Sequence, residues 1–259
     1  MSQIIVAVAT HKPYKMPDEP IYLPLHVGAE LHPDVLPDMQ GDNTGDNISA
    51  LNASYSELTG LYWLWKNCDA QYKGLVHYRR LLGSADKSKQ HQKDPYEKLV
   101  DGPELLTLLS SKDAVLAKQR NYYIETVYDH YSHTLDGSQL DKMRSILSER
   151  CPEYLPAWDG LMKSTRVHVF NMFVMPPTCS MPTARGCFPC LRRLVRGSTR
   201  VTWTPSLLAG RGAQVGGCWT HGLSTASRMP SSRWLAQSRW TGSRRAPRSW
   251  RQSSWARST

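Results

Sequence analysis

The chain has 259 residues and a formal net charge of +10, a balance that ordinarily points to nucleic acid or a membrane surface as partner. That figure averages two unlike parts: up to Met175 there are 18 Lys and Arg against all 22 Asp and Glu, whereas from Pro176 onward there are 14 Arg and no acidic residue. The first part is thus a mildly acidic globular composition, long enough for a sizeable core, and the basic character belongs wholly to the second.

Residues 4–9, Ile-Ile-Val-Ala-Val-Ala, read as a strand buried on both faces, as parallel sheets require. The run is too short for a signal segment or a membrane span, and no later run reaches spanning length. A polar loop, Thr10-His11-Lys12-Pro13, ends it. Residues 21–27 give a second short strand, followed by a turn-rich loop that closes on Gly41-Asp42-Asn43-Thr44-Gly45-Asp46-Asn47. Ile48, Leu51, Tyr55, Leu58, Leu61, Tyr62 and Trp65 then recur at helical spacing, which predicts one helix over 48–66 capped by Asp46 or Asn47. Residues 72–78 read as a central strand running into Arg79-Arg80. A short helix over 103–110, a strand over 113–117, a helix over 136–150 with Leu140, Met143, Ile146 and Leu147 inward, and a last strand over 167–175 complete the pattern. Strands alternating with helices predict an α/β domain with a mostly parallel sheet. Of the six cysteines only Cys68 and Cys151 lie in this part, which fits a reducing cytoplasm better than a disulfide framework.

Several clusters could carry chemistry. Thr10, His11 and Lys12 stand at the carboxyl end of the first strand, where open α/β sheets bind ligands, and the lysine could meet a diphosphate. The Asp42–Asn47 loop could contact a sugar or a cation, although an ordinary turn accounts for it equally well. His77-Tyr78-Arg79-Arg80 suits a phosphate-bearing substrate, because arginine offers a fixed bidentate fork and stays charged when desolvated; a pair of solvated arginines is the plain alternative. His130 and His133 could share a metal, but no third ligand sits at a telling spacing, and a half-buried aromatic stretch is the simpler reading. There is no Walker A loop, no GxGxxG after the first strand, no GxSxG elbow, no HExxH and no convincing Asp-x-Asp after an apolar strand. On these grounds alone the chain is an α/β protein handling a phosphorylated ligand.

A set of strings resembles a bacterial family of capsular and exopolysaccharide biosynthesis glycosyltransferases, long catalogued as a domain of unknown function. They include Ala9-Thr10-His11-Lys12-Pro13-Tyr14, Trp63-Leu64-Trp65-Lys66-Asn67, Gly74-Leu75-Val76-His77-Tyr78-Arg79-Arg80, Tyr122-Tyr123-Ile124-Glu125-Thr126 and Asn171-Met172-Phe173-Val174-Met175. The Trp-x-Trp-Lys-Asn and His-Tyr-Arg-Arg strings are the specific ones, and the resemblance covers residues 3–175. It implies a Rossmann-like glycosyltransferase A fold, a nucleotide-sugar donor and a polysaccharide or lipid-linked glycan acceptor. It also implies work at the inner face of the plasma membrane, without a membrane span but with peripheral association open. No nucleic-acid partner is implied. On sheet geometry, Thr10, His11 and Lys12 are expected to hold the nucleotide diphosphate, with Asn47, Tyr78 and Asn171 also lining the substrate site. His77, Arg79 and Arg80 are expected to stabilise the leaving diphosphate by positive charge, and Asp46 or Glu57 to act as acceptor base. A divalent metal is left open, with no residue assigned to it. A non-catalytic sugar- or nucleotide-binding protein is the alternative, and nucleic-acid binding through the basic tail a weaker one.

From Pro176 onward Asp, Glu, Lys, Ile, Tyr and Asn vanish together while Arg, Ser, Gly, Pro and Trp take over. A disordered Arg/Ser-rich tail, or a Cys187/Cys190 redox or zinc pair, leaves that simultaneous loss unexplained. A shifted reading frame explains it. Taking the last base of each codon with the first two of the next, Met181-Pro182 gives Ala, and Cys218-Trp219-Thr220 gives Leu then Asp, within strings that resemble the family's continuation. The expectation is therefore a glycosyltransferase domain over 1–175 and an out-of-frame, disordered tail over 176–259.

Overall fold

The computed structural model describes residues 2–176, except positions 113, 151 and 169, together with Gln237 and Ser238. Its spine is a mixed sheet in which β1 (Ser2–Thr10) lies between β2 (Tyr22–His26) and β3 (Ala70–His77), parallel to both. Beyond β3 come β7 (Phe173–Met175), antiparallel to its neighbours, then β4 (Val115–Ala117) and β8 (Gln237–Ser238). A separate two-stranded ribbon joins β5 (Arg120–Asn121) to β6 (Arg166–Val167).

Alternation along β1 divides the core. Ile4, Val6 and Val8 face one cluster, with Val76, Leu82 and the inner residues Leu105 and Leu109 of α4 (Gly102–Ser111). Ala7 and Ala9 face the other, with Leu25, Leu75 and the inner residues of α2 (Leu58–Asn67). Helices thus cover both faces, and this is why β1 reads as a continuous apolar run over residues 4–9 rather than as alternation. The α4 start is fixed by Asp101, whose side chain accepts from the Glu104 N–H, with proline in the first turn. A satellite of α5 (Val127–Thr134), α6 (Ser138–Arg150) and α7 (Leu155–Lys163) packs round Met143 and Trp158, and α6 turns Leu140, Met143, Ile146 and Leu147 inward as its periodicity predicts.

Two expectations need correction. The helix predicted over 48–66 is broken: a 3-10 turn (Ser49–Leu51) and the single turn α1 (Asn52–Tyr55) precede α2, with Ser56 left-handed at φ 49°. The Asn52 side chain stabilises the break, donating to the Ser56 carbonyl at 2.8 Å and to the Thr59 hydroxyl at 3.0 Å. The strand predicted over 167–175 is also interrupted, because His168 turns inward to the Ala117 carbonyl (2.5 Å) and the chain re-enters the sheet at Phe173. At the far edge of the sheet Gln237–Ser238 pairs in parallel with Leu116–Ala117. An edge strand offers its ladder to any extended backbone, so this pairing requires no side-chain recognition. A four-residue turn, α3 (Lys87–Gln90), lies in the connection before α4.

Gly74 marks where the antiparallel strand presses closest. A Cβ there would stand 2.7 Å from the Phe173 carbonyl oxygen and 2.9 Å from the Val174 side chain. Gly74→Ala is expected to lower stability by roughly 1–3 kcal/mol through overpacking. Urea denaturation checks this: the midpoint should fall with the slope unchanged, and an unaltered midpoint would contradict the tight β3–β7 contact.

Candidate functional site

The chain leaves β1 for β2 on one side and later returns to β3 on the other, so the strand order reverses between β1 and β3. Crevices outside the carboxyl ends of strands at such a reversal are where open α/β sheets bind ligands. Ala9 pairs with His77 in the ladder, and the Tyr78 N–H donates to the Ala9 carbonyl at 3.1 Å. The Thr10-His11-Lys12 loop and the His77–Arg80 turn, far apart in sequence, therefore meet there.

Tyr78 is the centre of this meeting. It is almost wholly buried, its hydroxyl has no hydrogen-bond partner among the described residues, and its ring packs edge-on against His11 (5.5 Å between centroids) and Tyr14 (5.0 Å). The Lys12 ammonium stands 5.6 Å and the Arg79 guanidinium 5.2 Å from the ring centroid. Cations near an aromatic ring are stabilised by its quadrupole, so Tyr78 serves as a platform for charge. Tyr78 thus lies beneath the Lys12 and Arg79 side chains rather than on the surface.

His77 departs from its expected part. Burial, then the charges of Arg79 and Arg80, depress its pKa to about 3, so at neutral pH the imidazole is uncharged. Its Nδ1 accepts from the Arg79 N–H at 3.3 Å, which places the proton of the neutral ring on Nε2. His77 is consequently a neutral donor, and the positive charge of the cluster resides on Lys12, Arg79 and Arg80. Burial, then the charges of Lys12 and Arg79, also hold the His11 pKa below its ordinary value. Burial and Arg79 likewise lower the affinity of Arg80 for its proton.

Thr10 is fully buried, and its hydroxyl is spent on the loop, donating to the Lys12 carbonyl at 2.6 Å while accepting the Lys12 N–H at 3.3 Å. It shapes the lysine loop without facing a ligand. Glu57, directly before α2, stands at the same edge. Burial raises its pKa, opposed by its own backbone hydrogen bond, by Asn171 and by the charge of Arg80. Asn171 donates to Glu57 Oε1 at 3.1 Å, and the Arg80 guanidinium lies 4.7 Å from the Phe170 ring centroid. Phe170 and Tyr14 are the neighbours that sequence reasoning missed; Phe170 was hidden inside an apolar run read as strand.

Asp46 and Asn47 lie elsewhere. The exposed Asp46 carboxylate accepts from the Tyr62 hydroxyl (2.9 Å) and pairs with Lys66 (3.0 Å), while Asn67 bonds the Asp46 backbone N–H and carbonyl. These partners sit along α2 toward its far end, roughly 10 Å from Glu57 at 1.5 Å per residue. Asn47 closes a local turn, donating to Gly45 and accepting the Ser49 N–H. Trp63 donates to the Thr44 hydroxyl at 2.8 Å, so the Trp-x-Trp-Lys-Asn string fastens this loop to α2. Its other end is held by the buried Asp42, which accepts the N–H groups of Gly28 and Ala29 and the Ser49 hydroxyl. His130 and His133 both direct Nδ1 to Glu125, at 2.8 and 3.0 Å. A groove between α5, α6 and α7 is floored by Trp158 and crossed by a bidentate Arg144–Asp159 pair; it holds none of the expected site residues.

The architecture is that of a glycosyltransferase A-like fold: the apo structure of the WbbM bifunctional glycosyltransferase superposes with a TM-score of 0.77 at 23% identity, covering 93% of this chain. The chain spans 45% of that protein. A family model described as a domain of unknown function, DUF4422, matches residues 5–195, and the chain belongs to this family. The match continues past Met175, where the resemblance is expected to stop. No curated protein matches the chain.

A histidine kept neutral by the fold binds a proton more readily once unfolded. Its contribution makes stability fall as pH drops below the ordinary histidine value of 6.5, down to the folded value of about 3. The slope from one such group approaches about 1.4 kcal/mol per pH unit. His77→Gln should flatten the stability profile between pH 6 and about 4. Denaturation midpoints measured over this range check it, and equal profiles for the two proteins would contradict a neutral His77.

Proposed function

We propose that this chain is the donor-binding part of a glycosyltransferase that moves a sugar from a nucleotide-sugar to a growing capsular or exopolysaccharide acceptor. The observation that carries this reading is the convergence of Lys12 and Arg79 on Tyr78 at the strand-order reversal, with Arg80 next to Arg79 in the same turn and packed on Phe170. Cations gathered on one platform repel one another until an anion joins them, and a diphosphate is such an anion. As an acceptor hydroxyl attacks the anomeric carbon, the bond from that carbon to the diphosphate oxygen breaks and its electron pair goes to the phosphate. Lys12, Arg79 and Arg80 stabilise that charge, and neutral His77 can add an Nε2–H hydrogen bond. The proton of the acceptor hydroxyl passes to Glu57, which is preferred to Asp46 because it stands at the same edge as the cations.

Glu57 faces the positive charge of Arg80 and the carboxamide of Asn171, surroundings that supply no second carboxylate and fit a divalent metal poorly. No metal is assigned a step. The polysaccharide or lipid-linked acceptor, reached at the inner face of the membrane, follows from the family resemblance; no helix of the described residues is long and apolar enough to cross a bilayer. The stretch beyond Pro176, including Cys187, Cys190 and the tail tryptophans, lies outside the described residues apart from Gln237 and Ser238. Its loss of six residue types supports an out-of-frame tail, so that a longer in-frame enzyme completes the acceptor side.

Isothermal titration with UDP, GDP, dTDP and CDP tests the reading. At least one should bind, and Arg79→Ala and Arg80→Ala should each weaken it by roughly tenfold, the worth of a charge-assisted hydrogen bond. Asp46→Ala should leave binding unchanged. Failure of all four to bind would overturn the assignment.

A further inference from the structure

The chain enters β7 beside the end of β3: Phe173 pairs with Leu75 and Val174 with Gly74, so residues 170 and 171 pass the His77–Arg80 turn. Phe170 lies by Arg80, while Asn171 reaches Glu57, a residue 114 positions earlier in the sequence. Two adjacent side chains from one segment therefore hold an arginine from the β3 turn and a carboxylate from the head of α2. Glu57 makes no capping bond to its own helix, and its carboxylate is held by its own backbone N–H together with Asn171.

We propose that Phe170 and Asn171 form a positioning clamp that orients the Arg80 guanidinium and the Glu57 carboxylate toward one ligand. The chemistry of both contacts suits that part. A ring packed on a guanidinium orients it through its face, a contact that itself uses none of the N–H donors. A carboxamide donating to Oε1 fixes the carboxylate plane, brings no charge and leaves Oε2 to accept a proton. A lysine at 171 would neutralise Glu57 and an aspartate would repel it; asparagine does neither. Neither clamp residue touches the reacting atoms.

The value of the clamp to catalysis rests on the glycosyltransferase reading, but its existence is testable without a substrate. Arg80, with Arg79 behind it, is the charged group facing Glu57 from the β3 turn, and residues 170 and 171 add no charge. Asn171 favours the ionised carboxylate, so removing its N–H should move Glu57 titration to higher pH. The experiment is carbon-13 NMR titration of the Glu57 carboxyl in the full chain, for wild type, Asn171→Leu and the smaller Asn171→Ser, whose hydroxyl is too short to reach Oε1. Both variants should titrate higher with melting temperatures near wild type. A Glu57 titration unchanged in a folded variant overturns the clamp.

Phe170→Leu should weaken nucleoside diphosphate binding by roughly two- to tenfold, and Phe170→Tyr, which restores a ring, should recover it. Equal loss in both variants also overturns the clamp. A shifted titration in a chain that binds no nucleoside diphosphate leaves the clamp standing and removes the transferase reading. Normal nucleotide binding with an unshifted titration does the reverse.

Discussion

Mutual repulsion among Lys12, Arg79 and Arg80 is the constraint round which the rest of the domain is arranged. The fold brings Lys12 and Arg79 to one tyrosine with Arg80 beside them, and lowers the proton affinity of His11, His77 and Arg80 in doing so. Like charges held together cost folding energy, and a protein keeps such an arrangement where a ligand relieves it. The cation–ring contacts offset part of the repulsion, and keeping His77 neutral limits it. Glu57 supplies the carboxylate at this edge, with Asn171 and Phe170 setting its place relative to Arg80.

Much of the remaining structure keeps that edge in shape. The strand-order reversal puts β1 and β3 side by side with their carboxyl ends together, and Gly74 admits β7 close enough for residues 170 and 171 to arrive at the same edge. The loop after β2 is tied at one end by the buried Asp42 and at the other by Trp63, Lys66 and Asn67. These bonds explain a motif whose spacing suggested only a helix. Its polar members face back onto the preceding loop, so its specificity is that of a fastening.

Legibility in the sequence followed the range of the forces involved. β1 was readable because burial on both faces leaves an uninterrupted apolar run over residues 4–9, and α6 because Leu140, Met143, Ile146 and Leu147 keep helical spacing. The break at Ser56 was not, since it depends on hydrogen bonds from the Asn52 side chain that periodicity does not record. The interruption before β7 was hidden for a similar reason: Val167 to Met175 is apolar enough to be one strand, and only the tertiary partners of His168, Phe170 and Asn171 draw it out of the ladder. At the site, the position of Lys12, Arg79 and Arg80 followed from the strand ends. The neutrality of His77 did not, because it arises from neighbours distant in sequence. Asp46 resembled a base in sequence, yet its lysine and tyrosine partners come from α2 and carry it away from the cations.

The central claim concerns where a diphosphate sits. A crystal structure of the chain with whichever nucleoside diphosphate it binds measures this directly. The account predicts the β-phosphate within hydrogen-bond reach of Arg79 and Arg80, with Lys12 on its other side and Tyr78 beneath. A diphosphate seated instead on Lys66 beside the Asp42–Asn47 loop, or on Arg120 of the two-stranded ribbon, would contradict it.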